Sequence, residues 1–96
     1  MNVQPYEVHP LLADALARLD APATVKQRLD RNIRALAAGQ LAPPRRRDPV
    51  DPRCLVHIAY FAEGGLWHAF KLWIDDQSKP GVWLFQAATY RTRPLR

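Results

Sequence analysis

The chain is poor in cysteine and has no long hydrophobic run. Cys54 is its only cysteine, so no internal disulfide can form and no cluster of thiolates can hold a metal. The longest apolar-rich run, residues 55–62, is far shorter than the roughly 20 residues of a membrane helix. The N-terminus lacks the basic start and apolar run of a signal peptide. Because small domains without disulfides suit a reducing compartment, we expect a soluble cytoplasmic protein.

Motifs that identify an enzyme are also missing. The sequence has no glycine-rich phosphate loop, no Gly-x-Ser-x-Gly and no His-Glu-x-x-His. His9, His57 and His68 are too scattered to indicate a metal site, and we expect no metal and no other cofactor. His57 interrupts an apolar strand. It is either a half-buried surface histidine or a general acid or base that faces a groove.

What the chain does contain is enough apolar residues for one core. Its 96 residues are 48% hydrophobic and 24% charged, which is typical of a globular protein and not of a disordered one. A chain of this length buries only about two-thirds of its unfolded surface, so the core must be compact. We therefore expect residues 1–96 to form a single domain.

Positive charge is concentrated and is carried mainly by arginine. Lysine and arginine number 14 against 9 acidic residues, and the net charge is +5. Arginine binds phosphates and carboxylates with two parallel hydrogen bonds, whereas lysine acts as a point charge. The arginines crowd one loop and the tail: Arg45, Arg46, Arg47 and Arg53, then Arg91, Arg93 and Arg96. They are either solvated surface residues or a site for an anionic partner, such as nucleic acid or an acidic protein.

The first third of the chain predicts a short strand and a helical hairpin. Residues 6–8 alternate and could form an edge strand. Apolar residues then recur at helical spacing in two segments separated by Pro22. These residues are Leu11, Leu12, Ala15, Leu16 and Leu19 in the first helix, and Val25, Leu29, Ile33 and Leu36 in the second. Gly39 is a natural end for the second helix.

The remainder predicts an irregular loop and three strands. Residues 40–53 contain four prolines and cannot form regular structure. Strands follow at 54–62, 66–74 and 82–91, with a glycine turn at 63–65. Alternation in the last strand groups Trp83, Phe85 and Ala87 on one face. The predicted fold class is α+β: a short N-terminal strand, a helical hairpin, then a three-stranded antiparallel meander with the helices on one face.

Both faces of the predicted sheet are apolar. Phe70 and Leu72 share one face of the second strand, and Trp67 and Trp73 share the other. The helices can cover only one face. The tryptophan face is either buried by curling of the sheet or is a groove for a protein partner or a second copy, and we assign Trp67, Trp73 and Trp83 to a partner surface.

The order of elements resembles the RelE/ParE toxin superfamily. Residues 6–19 look like the opening strand and first helix of that family, and residues 25–36 look like its second helix. Residues 70–76 followed by 81–85 resemble its final hairpin. The resemblance covers nearly the whole chain and consists of pattern rather than of a specific motif.

The resemblance implies a toxin of a toxin–antitoxin system, with a cognate antitoxin as its protein partner. Some members cleave messenger RNA at the ribosome, and others inhibit DNA gyrase without nuclease chemistry. In a nuclease, Arg53, Arg91 and Arg93 would stabilise the developing charge, and His57 or Tyr90 would be the acid or base. Nucleic-acid or anionic-partner binding would fall to Arg45, Arg46, Arg47 and Lys71. We predict that the loop and tail arginines act together on an anionic partner and form the functional centre: Arg45, Arg46, Arg47, Arg53, Arg91 and Arg93. The two groups can meet only if the loop folds back, or if the middle strand alone separates them, at roughly 5 Å per neighbouring strand.

Two other functions fit the sequence. The absence of an enzyme motif and the compact size favour a non-enzymatic binding protein, for instance an anti-defence inhibitor from a phage or other mobile element. A small RNA- or DNA-binding module is the third hypothesis, and its affinity would depend steeply on salt.

Overall fold

The computed structural model describes residues 3–96, and this part of the chain contains two helices and four strands. In chain order they are β1 (Tyr6–Val8), α1 (Pro10–Arg18), α2 (Ala23–Ala37), β2 (Cys54–Glu63), β3 (Leu66–Asp75) and β4 (Trp83–Pro94). The predicted α+β fold, with a short first strand and a late meander, is confirmed. No helix among the described residues is long and apolar enough to cross a membrane.

The four strands form one sheet in the order β1-β4-β3-β2. The three long strands are antiparallel neighbours, and β1 pairs in parallel with the start of β4, from Trp83 to Phe85. The turn between β2 and β3 uses Gly64 and Gly65, whose φ angles are 61° and 77°. Two such residues make the turn whose twist suits a hairpin, and they set Glu63 opposite Leu66.

A bulge interrupts the pairing of β3 with β4. Ile74 lies opposite Phe85, but the preceding residue, Trp73, lies opposite Ala87. Gln86 is therefore the extra residue, and it moves Phe85 and Ala87 to different faces of the sheet. The predicted grouping of Phe85 with Ala87 is wrong for this reason: alternation holds on each side of the bulge but not across it.

The helices cover one face of the sheet and close the core there. The second helix contributes the predicted stripe, and β3 and β4 contribute side chains that are fully buried. The core includes Val25, Leu29, Ile33 and Leu36 from α2, with Phe70, Leu72, Ile74 and Phe85 from the sheet. Burying each such side chain stabilises the fold by about 1.5–3 kcal/mol. In α1, Leu12 is buried but Leu11 is exposed, so the predicted stripe of this helix is narrower than its sequence indicates.

The proline-rich loop is irregular, as predicted, but it is held against the outer edge of β2. The carbonyl of Arg46 accepts from the Val56 amide at 2.8 Å, and the Asp48 amide donates to the Cys54 carbonyl at 3.0 Å. The Asp48 carboxylate then accepts a hydrogen bond from Nε1 of Trp73 at 2.8 Å. The loop thus covers the end of the sheet where β2 begins.

Candidate functional site

The face of the sheet opposite the helices, here called the open face, is only partly covered. It consists of alternate residues from the three long strands, because successive side chains of a strand point to opposite faces. Ile58 on β2 is 42% exposed, Tyr60 on the same strand is 55% exposed, and Trp67 on β3 is 36% exposed. Large apolar side chains exposed together on one face are unusual in a soluble monomer unless they bind something.

Four residues form a compact group at the end of this face where β2 turns into β3 and β4 ends. We call it the aromatic–arginine patch: Tyr60, Trp67, Arg91 and Arg93. The register produces it, since Trp67 lies opposite Arg93, and Ala69 lies between Tyr60 and Arg91. The four side chains line a shallow cavity of about 260 Å³. Small Ala69 forms its floor, so the rings and the guanidinium groups stand around an open space.

The chemistry of the patch suits an aromatic anion. Exposed tyrosine and tryptophan rings can stack on planar groups, and arginine can hold a phosphate with paired hydrogen bonds. Lys71 extends the positive surface, and its Nζ lies 4.9 Å from the ring centroid of Trp73. The acidic residues of this face lie at its other end, where Asp75 pairs with Cys54 across the strands.

The loop arginines lie at that other end, and two of them, Arg47 and Arg53, are paired with carboxylates. Arg47 donates to both oxygens of Asp76, at 2.8 and 3.0 Å, and this hydrogen bonding raises its already high pKa. Arg53 donates through Nε to Asp51 at 3.1 Å, which likewise raises the pKa of the guanidinium. Both contacts hold the loop in place and leave these two arginines less available to an external anion.

The structure does not bring the loop arginines and the tail arginines into one site. The bridge between Arg47 and Leu55 lies level with Ile74, whereas Arg91 lies level with Ala69. Five residues of strand separate these levels, which is about 16 Å. The loop does fold back, but onto the outer edge of β2, and the tail arginines lie two strands away on β4. The predicted shared site is therefore not formed.

The two candidate acid–base residues lie on the helix-covered face. Nε2 of His57 lies 3.1 Å from Oδ1 of Asn32 on α2, and burial lowers the pKa of this histidine, which favours its neutral form. Tyr90 neighbours Arg91 in the strand and therefore points to the opposite face. The sheet itself thus separates these residues from the tail arginines, with which the toxin resemblance grouped them.

Tyr90 contacts a buried histidine rather than the open face. Its hydroxyl lies 2.7 Å from Nδ1 of His68, and Nε2 of His68 lies 3.0 Å from the Glu63 carbonyl. A carbonyl can only accept, so Nε2 of His68 donates the hydrogen bond to Glu63. Burial raises the pKa of Tyr90. The tyrosine hydroxyl therefore keeps its proton, and both side chains are hydrogen-bonded, as structural residues of a core are.

The tryptophans assigned to a partner surface divide among three environments. Trp67 belongs to the patch. Trp73 is half-buried under the loop, where Asp48 accepts its N–H. Trp83 packs against the core cluster on the helix side. Neither Trp67 nor Trp73 is fully buried, but only Trp67 is placed to meet a partner on the open face.

Tyr60 is the residue of the patch that the sequence analysis missed. It follows Val56 and Ile58 at alternate positions of β2, and the glycine turn fixes β2 against β3. Those two features would have placed Tyr60 beside Trp67. Its apolar neighbours in sequence made it resemble an ordinary core residue.

The single thiol has no place in the chemistry of the site. Cys54 is buried at the loop end, and burial raises the pKa of its thiol to about 11. A thiol that stays protonated is a poor nucleophile and a poor metal ligand. Among the described residues no group of three or more His, Cys, Asp or Glu side chains is placed to hold a metal ion.

Comparison with protein-family models, with curated proteins and with solved structures gave no match.

Proposed function

We propose that the protein binds single-stranded RNA through the aromatic–arginine patch and that it acts on messenger RNA as a toxin of the RelE/ParE type. The observation that carries the first part is the position of Tyr60 and Trp67 beside Arg91 and Arg93 on the open face. The toxin role rests on the resemblance in the order of elements.

RNA suits the patch because its bases and its backbone match the two kinds of side chain. Unpaired bases can stack on Tyr60 and Trp67, and the phosphates that join them can meet Arg91 and Arg93. Bases within a duplex are already stacked on each other and have no free face for Tyr60 or Trp67 to stack on. The net charge of +5 adds a general attraction for any polyanion.

The proposed action is binding rather than cleavage. His57 and Tyr90 lie on the far side of the sheet from the patch, and both are engaged in hydrogen bonds. An RNA strand on the open face would not meet either residue. The protein would therefore inhibit translation by occupying the messenger RNA.

Inducible expression in a bacterium tests the toxin role. Expected results are growth arrest and a fall in total translation while messenger RNA remains intact. Cleaved messenger RNA would overturn the binding mechanism. A normal rate of translation with altered DNA supercoiling would point to gyrase, and the absence of any growth effect would favour the inhibitor hypothesis.

Fluorescence anisotropy with a labelled single-stranded RNA tests the site. Trp67→Ala should weaken binding by roughly fivefold to a hundredfold, which corresponds to the loss of one stacked base. Leu11→Ala is the matched control, since Leu11 is an exposed apolar residue on the other side of the molecule. Equal RNA affinities of the two variants would show that RNA does not bind at the patch.

A further inference from the structure

The two edges of the sheet differ in how much of their backbone is hydrogen-bonded by other parts of the chain. On the outer edge of β2, residues 46–48 pair with the start of the strand. Nearer its end, the Arg28 guanidinium donates to the Ala62 carbonyl at 3.0 Å. Unpaired edges invite pairing with other chains, and this edge is blocked at both ends.

The outer edge of β4 is blocked only at its start. β1 covers Trp83 to Phe85, and the His9 amide donates to the Phe85 carbonyl at 2.9 Å before the chain turns into α1. From residue 87 to residue 94, β4 pairs with β3 on one side, and no other described strand pairs with its second side. We call this stretch the free edge of β4.

The backbone groups that the free edge offers can be identified. The Leu95 amide donates to the Gly65 carbonyl, on the β3 side. Neighbouring residues of a strand direct their N–H and C=O groups to opposite sides, so Arg91 and Arg93 bond to β3. Tyr90 and Thr92 therefore direct theirs outward, which is the arrangement that an added strand requires.

We propose that an extended, acidic segment of a partner protein adds to the free edge of β4 as a fifth strand. The added strand would gain main-chain hydrogen bonds from Tyr90 and Thr92. Its alternate side chains would lie on the open face beside Arg91 and Arg93, which are exposed. Cross-strand pairs of opposite charge stabilise a sheet, so glutamate or aspartate fits at every second position.

The same charges disfavour a second copy of this chain on that edge. Two β4 strands paired antiparallel would gather Arg91 and Arg93 of both copies on one face of adjacent strands. Like charges at that spacing destabilise the pairing. The preference for an acidic segment thus follows from the side chains, and the preference for an extended one follows from the backbone.

A synthetic peptide of about eight residues that alternates glutamate and valine is a direct probe, since it matches the length of the free edge. Isothermal titration should show binding at least roughly tenfold tighter than that of the peptide with lysine in place of glutamate, a difference of about 1.4 kcal/mol. Amide hydrogen exchange should show added protection at Tyr90 and Thr92. Protection elsewhere, or no binding by either peptide, would overturn the proposal.

Thr92→Pro removes one outward N–H without touching the ladder to β3, and proline is tolerated in edge strands at such positions. Thr92→Pro should no longer bind the glutamate peptide, whereas Thr92→Val, which keeps the N–H, should bind it as the native chain does. Retention by Thr92→Pro would overturn the proposal, as would a dimer of the native chain with protected Tyr90 and Thr92 amides. Tyr60→Ala supplies the separation from the RNA experiments: it should weaken RNA binding but leave the affinity for the glutamate peptide unchanged, because Tyr60 lies on β2, two strands away from the free edge.

Discussion

The two faces of the sheet differ although the same strands build both. On the helix-covered face, Phe70, Leu72 and Ile74 are completely buried. On the open face, one residue along the same strand, Trp67 and Lys71 are exposed. The covered face supplies the hydrophobic stabilisation of the fold, and the open face is therefore free to carry aromatic and basic residues that the fold does not need. The comparison separates residues that stabilise the fold from residues that are exposed and that we propose bind RNA.

The largest expected effect comes from the covered face. Phe70→Ala should lower the free energy of unfolding by about 3–5 kcal/mol, because it leaves a cavity in the middle of the core. Trp67→Ala should lower it by less than about 2 kcal/mol, since part of that ring is already in water. Urea denaturation measures both. Equal losses of unfolding free energy would mean that the open face is a second core and that the two faces do not differ in their role.

The next effect separates the two ends of the open face. Replacing Arg91 and Arg93 by alanine should weaken RNA binding by roughly tenfold to a hundredfold at low salt and reduce its salt dependence. Replacing Arg45 and Arg46 removes the same charge from the loop end and should change affinity by less than about threefold. Anisotropy titrations across a salt series measure this. Similar losses for the two pairs would show that charge matters and position does not.

A smaller effect concerns the loop that covers the other end of the open face. Asp48→Ala should cost about 1–2 kcal/mol of stability, because it leaves the half-buried N–H of Trp73 without its acceptor. RNA affinity should not change. Asp48→Asn keeps an acceptor oxygen and should lose less. A stability equal to that of the native chain in urea denaturation would show that the loop does not depend on this contact.

The smallest effect is a pH dependence on the covered face. Burial lowers the pKa of His57, so the native protein binds fewer protons at this residue than the unfolded chain does. The free energy of unfolding should therefore decrease as the pH falls below about 6.5, because the unfolded chain then takes up a proton that the native His57 does not. Urea denaturation between pH 7 and 5 should give a flatter profile for His57→Gln than for the native chain. Parallel profiles would exclude His57 as a source of the acid sensitivity.

Local patterns determined most of the fold. The helical spacing of Val25, Leu29 and Ile33 predicts a stripe that is indeed buried, and the glycines at 64 and 65 predict the hairpin that joins β2 to β3. Such features depend on residues a few positions apart. Alternation alone also places Tyr90 and Arg91 on opposite faces, so their separation was predictable, although the toxin resemblance grouped them.

Part of the candidate site was predictable and part was not. Trp67, Arg91 and Arg93 were identified from composition and alternation, and their proximity follows once β3 and β4 are paired. Tyr60 required the register of β2 as well. The pairing of Arg47 with Asp76 and of Arg53 with Asp51 was not predictable, because it depends on how the loop packs.

The sequence by itself determined the kinds of element, their order and the face that each core residue occupies within an uninterrupted element, because side-chain periodicity is a local property. Only the tertiary structure decided three other features: the bulge at Gln86, the return of the proline-rich loop onto β2, and the free edge of β4. Each depends on which distant backbone groups find hydrogen-bond partners. That pairing is settled by the packing of the whole chain and not by neighbours in sequence.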